Sequence, residues 1–156
     1  MVILLYTMCM RNNLIKARTC VYNINYHIVW TVKYRHKILI GDVEQYLKEE
    51  LLNIAKEKDF IIHTMECDKD HIHLFVSAHP KVSPSYIVKM CKGISGRKLF
   101  IKFPEINKKL WKNTLWNSSF YIETIGSTNE ENIKRYIENQ KKKGVIRFVF
   151  DEKDCF

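Results

Sequence analysis

The chain lacks any pair of cysteines spaced to clamp a metal. Its five cysteines, Cys9, Cys20, Cys67, Cys91 and Cys155, are odd in number and scattered, with no CxxC pair. That excludes a zinc knuckle and a disulfide frame, and it fits a reducing, cytoplasmic setting. No hydrophobic run is long enough to span a bilayer, so no membrane partner is expected. The apolar stretch Val2–Met10 has no basic region before it and no small-residue cleavage site after it, which argues against a signal peptide. Internal repeats, low-complexity tracts and Pro/Gly/Ser linkers are also missing. Residues 21–156 therefore read as one domain, behind an unassigned N-terminal extension of residues 1–20.

What is present is the material of an ordinary folded domain. The 156 residues are 46% hydrophobic and 28% charged, which excludes a disordered chain and is enough for a core without staples. Lys and Arg number 26 against 17 Asp and Glu, a formal net charge of +9. A surplus of that size favours a polyanion, either nucleic acid or an anionic membrane surface, and charge alone does not choose between them.

Periodicity orders the chain. Between Val21 and Tyr34, Ile24, Tyr26, Ile28, Trp30 and Val32 alternate with Asn25, His27, Thr31 and Lys33, a strand with Val29 as the exception. Gly41-Asp42 opens a helix whose Val43, Leu47, Leu51 and Ile54 recur at helical spacing, with Glu49, Glu50 and Lys56 on its wet side. Phe60–Cys67 and His71–Ala78 read as a hairpin about the polar turn Asp68-Lys69-Asp70. Ser83-Pro84 starts a second helix, with Ile87, Met90, Cys91 and Ile94 as its buried stripe. Residues 104–116 read as irregular, and Ser119–Ile125 as a fourth strand. A last helix follows Gly126, capped by Ser127 or Thr128 and closed by Lys141-Lys142-Lys143 and Gly144; Ile146–Asp151 reads as a short extra strand. The predicted fold class is α+β: a ferredoxin-like split βαβ with an antiparallel sheet, helices on one face, and the C-terminal helix added.

Two local patterns carry chemistry. In His71-Ile72-His73 the alternation of a strand sends both imidazoles to one side, together with Phe75 and Ser77. The other side, Ile72, Leu74, Val76 and Ala78, is aliphatic and suits packing against the helices. Two neutral imidazoles projecting from the helix-free face can share a divalent metal, although such pairs in strands are more often simply polar surface. On the last helix, Tyr136 and Gln140 are four apart and share a face. A tyrosine is a plausible nucleophile for a phosphodiester, and a glutamine oxygen can complete a metal site; packing on the sheet is the plainer alternative. If that helix crosses the helix-free face, the two patterns meet. Two histidines and one amide would leave positions open for a phosphate oxygen, which suits Mg²⁺ or Mn²⁺, while the imidazoles also accept Zn²⁺, Co²⁺ or Ni²⁺.

With these residues the chain resembles the single-tyrosine HUH transposases of small bacterial and archaeal insertion sequences, the TnpA type, whose relatives include proteins associated with repetitive extragenic palindromes. Tyr26-His27-Ile28-Val29-Trp30 and Lys33-Tyr34-Arg35 look like the first strand of that family, and Asp70-His71-Ile72-His73 like its HUH motif. Lys92–Arg97 resembles the basic segment of its second helix, Trp116 with Phe120–Gly126 its fourth strand, and Tyr136–Gln140 its catalytic tyrosine and third metal ligand. The resemblance covers about Val21 to Lys143. It implies a homodimer that binds single-stranded DNA with imperfect hairpins at transposon ends. Tyr136 would attack a phosphodiester to leave a 5′-phosphotyrosine and a free 3′-OH that later rejoins the strand, with His71, His73 and Gln140 as metal ligands and no organic cofactor. In the family the tyrosine helix can complete the partner's active site.

Several residues hold secondary expectations. Lys92, Arg97, Lys98 and Lys141 are candidate phosphate contacts, although solvation and helix capping explain basic side chains equally well. Asp70, with Asp68, is a candidate to orient an imidazole. Trp30, Trp111 and Trp116 read as core or interface, and His27, His36, His63 and His79 as structural. Other readings stay open: a domesticated relative, a non-catalytic nucleic-acid binder on a ferredoxin-like sheet, and a replication initiator or relaxase. No RNP-type aromatic pattern on the third strand supports the binder, and no helicase or primase segment supports the initiator.

Overall fold

A computed structural model describes residues 14–110, 113–126 and 135. A two-stranded hairpin comes first, β1 (Ile15–Lys16) pairing antiparallel with β2 (Val21–Tyr22). The long strand expected over Val21–Tyr34 is broken at Asn23-Ile24, and its main part is β3 (Asn25–Thr31). Then come α1 (Asp42–Glu57), β4 (Phe60–Cys67), β5 (His71–Ala78), α2 (Pro84–Lys102), α3 (Pro104–Lys109) and β6 (Tyr121–Ile125).

The four long strands form one sheet in the order β4-β5-β3-β6, every pair antiparallel. With β5 inserted between β3 and β4, this is the split βαβ arrangement that the order of elements predicted. The hairpin β4–β5 follows the polar turn closely, and a register shift between Ile62 and Thr64 marks a bulge at His63.

One face of the sheet makes the core. Ile28, Trp30 and Val32 join Ile72, Leu74, Val76 and Ala78, and α1 lays Leu47, Leu51 and Ile54 against them while α2 adds Ile87, Cys91 and Leu99. Each fully buried aliphatic side chain stabilises by about 1.5–3 kcal/mol. Gly41 starts α1 at φ +59°, a conformation that favours glycine, and Asp42 and Glu44 complement the positive end of the helix. Ser83 caps α2: its hydroxyl accepts from the Tyr86 N–H at 3.2 Å, with Pro84 in the first turn.

Two local expectations change. Residues 104–116 are not wholly irregular, because Pro104 and Glu105 start the short helix α3. Six residues are too few to show a helical period. Glu50, expected on the wet side of α1, is 9% exposed and pairs with Lys98 of α2 at 2.5 Å. Packing of α2 beside α1 covers that flank.

Trp116 fills the space between α2 and the sheet. It donates Nε1–H to Ser95 Oγ at 3.1 Å and meets Trp30 edge-on at 5.9 Å. Trp30 and Trp116 are thus core residues; Trp111 lies outside the described residues.

Candidate active site

The second face of the sheet is where the chemistry collects. In antiparallel pairing, partners point the same way, and the register sets Thr31 opposite His71, Val29 opposite His73 and His27 opposite Phe75. Glu66 of β4 faces His73 from the other side, and Glu123 of β6 faces His27. His71 and His73 therefore share the face that the core helices leave, as alternation requires. Their ring centroids are 5.1 Å apart and nearly perpendicular, at 71°.

That face is not open at β5. His73 is 1% exposed, Phe75 0% and Ser77 2%, and the His71 side chain 13%. The two imidazoles share the expected face and are largely buried in it. The strand is interior, with side chains of β3 and β4 flanking it on both sides, and His27 stacks on His73.

Each imidazole has its own partner on Nδ1. His71 Nδ1 lies 2.6 Å from Asp70 Oδ1, and the other Asp70 oxygen, Oδ2, takes Arg35 Nε at 2.9 Å. His73 Nδ1 lies 3.1 Å from His27 Nε2, the two rings stacked at 14°. Asp70 thus stands where an orienting carboxylate was expected. His27, read from sequence as structural, belongs to the site. The signal for it was present: alternation places His27 on the same side as Asn25 and Thr31, away from the core, and the split βαβ order makes β3 the neighbour of β5.

Burial favours the neutral form of His73 and His27. Burial, helped by the neighbouring His71 and His27, pushes His73 down to about 3. Burial also lowers His27, against the opposing charge of Glu123. Burial pushes the Asp70 carboxyl up, but hydrogen bonds from His71 and Arg35 outweigh it and hold it below its ordinary value. A neutral imidazole is the form that binds a metal, so His73 has no proton to lose first.

The donor set suits a divalent cation. A metal about 2.1 Å from a ring nitrogen stands about 3.2 Å from the ring centre, so two imidazoles sharing one ion place their centres about 5 Å apart. The His71–His73 separation fits that spacing. With both Nδ1 atoms engaged, Nε2 is the nitrogen each ring would use. Ligand atoms of Asp68, Asp70 and His71 also lie within 4.8 Å of one another. Asp70 already divides its oxygens between Arg35 and His71, which suits orienting better than ligation. Tyr136, Gln140 and Lys141 lie outside the described residues, as do residues 1–13 and Ile146–Asp151.

The basic candidates on α2 differ among themselves. Lys92 Nζ donates to the backbone carbonyls of Asn117, Ser118 and Ser119 at 2.5, 3.1 and 3.2 Å. Burial lowers its pKa to about 8. Lys98 is engaged with Glu50. Arg97, with Gly93, Gly96 and Phe100, lines a surface groove of about 600 Å³ whose other wall is residues 113–118.

Comparison with known proteins identifies the family. Residues 20–140 match the family described as "Transposase IS200 like". The chain is 41% identical to the ISDra2 transposase TnpA of Deinococcus radiodurans over 128 residues, covering 82% of this chain and 91% of that one. It is 31% identical to the transposase for insertion sequence element IS200 of Salmonella typhimurium over 119 residues, 76% of this chain and 78% of that one. Among solved structures, a Deinococcus radiodurans R1 protein described as a candidate transposase superposes with a TM-score of 0.68 at 36% identity, over 81% of this chain and 97% of its own. A REP-associated tyrosine transposase bound to a REP hairpin shares the fold, with a TM-score of 0.58 at 17% identity over 85% and 75%. A paired-histidine site on a split βαβ sheet, in a chain this close in sequence to those proteins, makes it a member of the IS200-like transposase family.

Proposed function

We propose that this transposase cleaves and rejoins single-stranded DNA through a covalent 5′-phosphotyrosine on Tyr136. The observation that carries the reading is the paired imidazole: His71 and His73 on one face of an interior strand, 5.1 Å apart, each with its Nδ1 engaged. His71 and His73 would hold a divalent cation, Mg²⁺ or Mn²⁺, with Gln140 as third ligand. Bound there, the cation supplies Lewis-acid polarisation of the scissile phosphate.

The residues then divide the work. The Tyr136 phenol gives up its proton to solvent and its oxygen attacks phosphorus. The bond from phosphorus to the 3′-oxygen breaks, and that oxygen takes a proton to leave a 3′-OH. Reversal with a different 3′-OH rejoins the strand. The phosphodiester bond energy is kept in the phosphotyrosine, so no organic cofactor takes part. Asp70 and His27 fix the two imidazoles, and burial keeps His73 unprotonated. Arg97, beside its groove, and Lys141 are the basic side chains assigned to the DNA backbone, with Lys92 lining the same groove and Lys98 paired with Glu50.

The partners follow from the same reading. The net charge of +9 favours a nucleic acid. A structural neighbour holds a REP hairpin, which supports single-stranded DNA with hairpins as substrate; the homodimer is taken from the family resemblance alone. The test is a 5′- or 3′-labelled single strand bearing the element's end hairpin, incubated with Mn²⁺ and run on a denaturing gel. A covalent protein–DNA adduct is expected, lost in Tyr136→Phe and in EDTA. Cleavage by Tyr136→Phe at the wild-type rate overturns the assignment.

A further inference from the structure

We propose that Arg35 is a positioning residue, holding Asp70 so that Asp70 fixes the tautomer and orientation of the His71 imidazole. The inference rests on reading His71 as a metal ligand.

The turn after β3 brings Arg35 to the site by an unusual route. Tyr34 and Arg35 lie consecutively in the left-handed region, at φ +57° and +54°. Non-glycine residues seldom adopt it, and two in a row need support from their surroundings. The support is visible. Arg35 N–H donates to Val32 O at 3.0 Å, Val32 N–H to Asp70 O at 2.8 Å, and Leu39 N–H to Lys69 O at 2.9 Å. Backbone hydrogen bonds thus tie this turn to the β4–β5 turn on both sides of Arg35.

The side chain completes the arrangement. Asp70 gives one oxygen to each neighbour, Oδ2 to Arg35 Nε and Oδ1 to His71 Nδ1. A carboxylate with a single donor can rotate; with two donors in fixed directions it cannot swing Oδ1 away from the imidazole. With its proton on Nδ1, His71 presents the Nε2 lone pair to a metal. The Arg35 side chain is 48% exposed while Asp70 is 16% and His71 13%. An ion pair so exposed contributes little to stability. Its effect is directional, and the backbone strain at Arg35 is accounted for by placing a guanidinium where no ordinary strand end would.

The experiment uses the full chain without metal or DNA. Imidazole ¹⁵N shifts of His71, read at mildly alkaline pH, report which nitrogen carries the proton. Wild type is expected to hold the proton on Nδ1. Arg35→Ala and Arg35→Gly are expected to lower that population, with Asp70→Ala lowering it at least as far. Titration with Mn²⁺ is expected to show about tenfold weaker binding in Arg35→Ala. Arg35→Gly relieves the left-handed strain, so it keeps the fold even where Arg35→Ala does not. It therefore separates the side chain's role from the backbone's. Wild-type tautomer and Mn²⁺ affinity in Arg35→Gly overturn the proposal, as does an unchanged tautomer in Asp70→Ala. The tautomer is read without DNA, so this inference and the Tyr136 assignment fail by different observations.

Discussion

His27 Nε2 lies 3.1 Å from His73 Nδ1, with the two rings stacked, so a residue from the first long strand sets the direction of a histidine on the third. Metal-ligating histidines are commonly oriented by such a partner on the other ring nitrogen, and losing it typically weakens metal binding or activity by about 10–100-fold. His27→Phe keeps a flat aromatic ring, slightly larger, and removes both nitrogens. We expect it to fold, to bind Mn²⁺ about tenfold more weakly, and to cut single strands correspondingly slowly at limiting metal. Calorimetric titration and single-turnover cleavage measure both; a His27→Phe protein with wild-type values in both would show that the contact is packing alone.

Acid is expected to destabilise the metal-free protein through the same pair. His73 has an ordinary value of 6.5 and a folded value of about 3, and His27 is shifted in the same direction. Between those values the unfolded chain binds more protons than the folded one. Stability is therefore complete above pH 6.5 and falls as pH drops from 6.5 toward 3, by up to about 1.4 kcal/mol per pH unit for one group. Asp70 is depressed below an ordinary 3.8, so its contribution is present above 3.8 and is lost below it. Urea unfolding in EDTA between about pH 6.5 and 5, above the carboxylate range, thus reports mainly the imidazoles. A His73→Phe variant with the same slope as wild type in that window contradicts the assignment.

Lys92 and Arg97 are adjacent in role on sequence and separate in the structure. Lys92 serves three carbonyls of the 117–119 loop. Lys92→Met keeps the stem and leaves those acceptors unserved, with an expected cost of about 1–3 kcal/mol and little change in how DNA binding depends on salt. Arg97→Ala is expected to leave stability near wild type and to reduce the salt slope by about 0.7, one phosphate contact on a single strand. Thermal melts and filter binding across a salt series distinguish the two; the reverse pattern would mean that Lys92 is the phosphate contact.

Gly96 of α2 faces the loop that carries Trp116. A Cβ built there meets Trp116 Cδ1 and Nε1 at 3.5 Å and Leu115 Cβ at 3.8 Å, ordinary contact distances. Gly96→Ala is expected to be neutral or to stabilise by up to about 1 kcal/mol through helix propensity. Gly96→Val places further methyls on a buried tryptophan and is expected to cost about 1–3 kcal/mol, read as a lower Tm. Equal melting temperatures for the two variants would show that the Trp116 side chain yields freely.

Much of this protein is written in local pattern. The alternation in His71–Ala78 sorted imidazoles from aliphatics. The Ser83-Pro84 pair started a helix at its observed first residue, and the order of strands and helices led to β4-β5-β3-β6. These are properties of neighbouring residues, and a period of two or 3.6 reports them directly. The pairing of His27 with His73, the burial of the second sheet face, the tie from Arg35 to Asp70 and the use of Lys92 and Glu50 inside the fold depend on residues 25 to 48 positions apart. No local period encodes such meetings. They arise when an inserted strand sets β3 beside β5 and when two left-handed residues turn the chain back. A sequence therefore specifies which side chains share a face, and only the assembled sheet decides which faces touch.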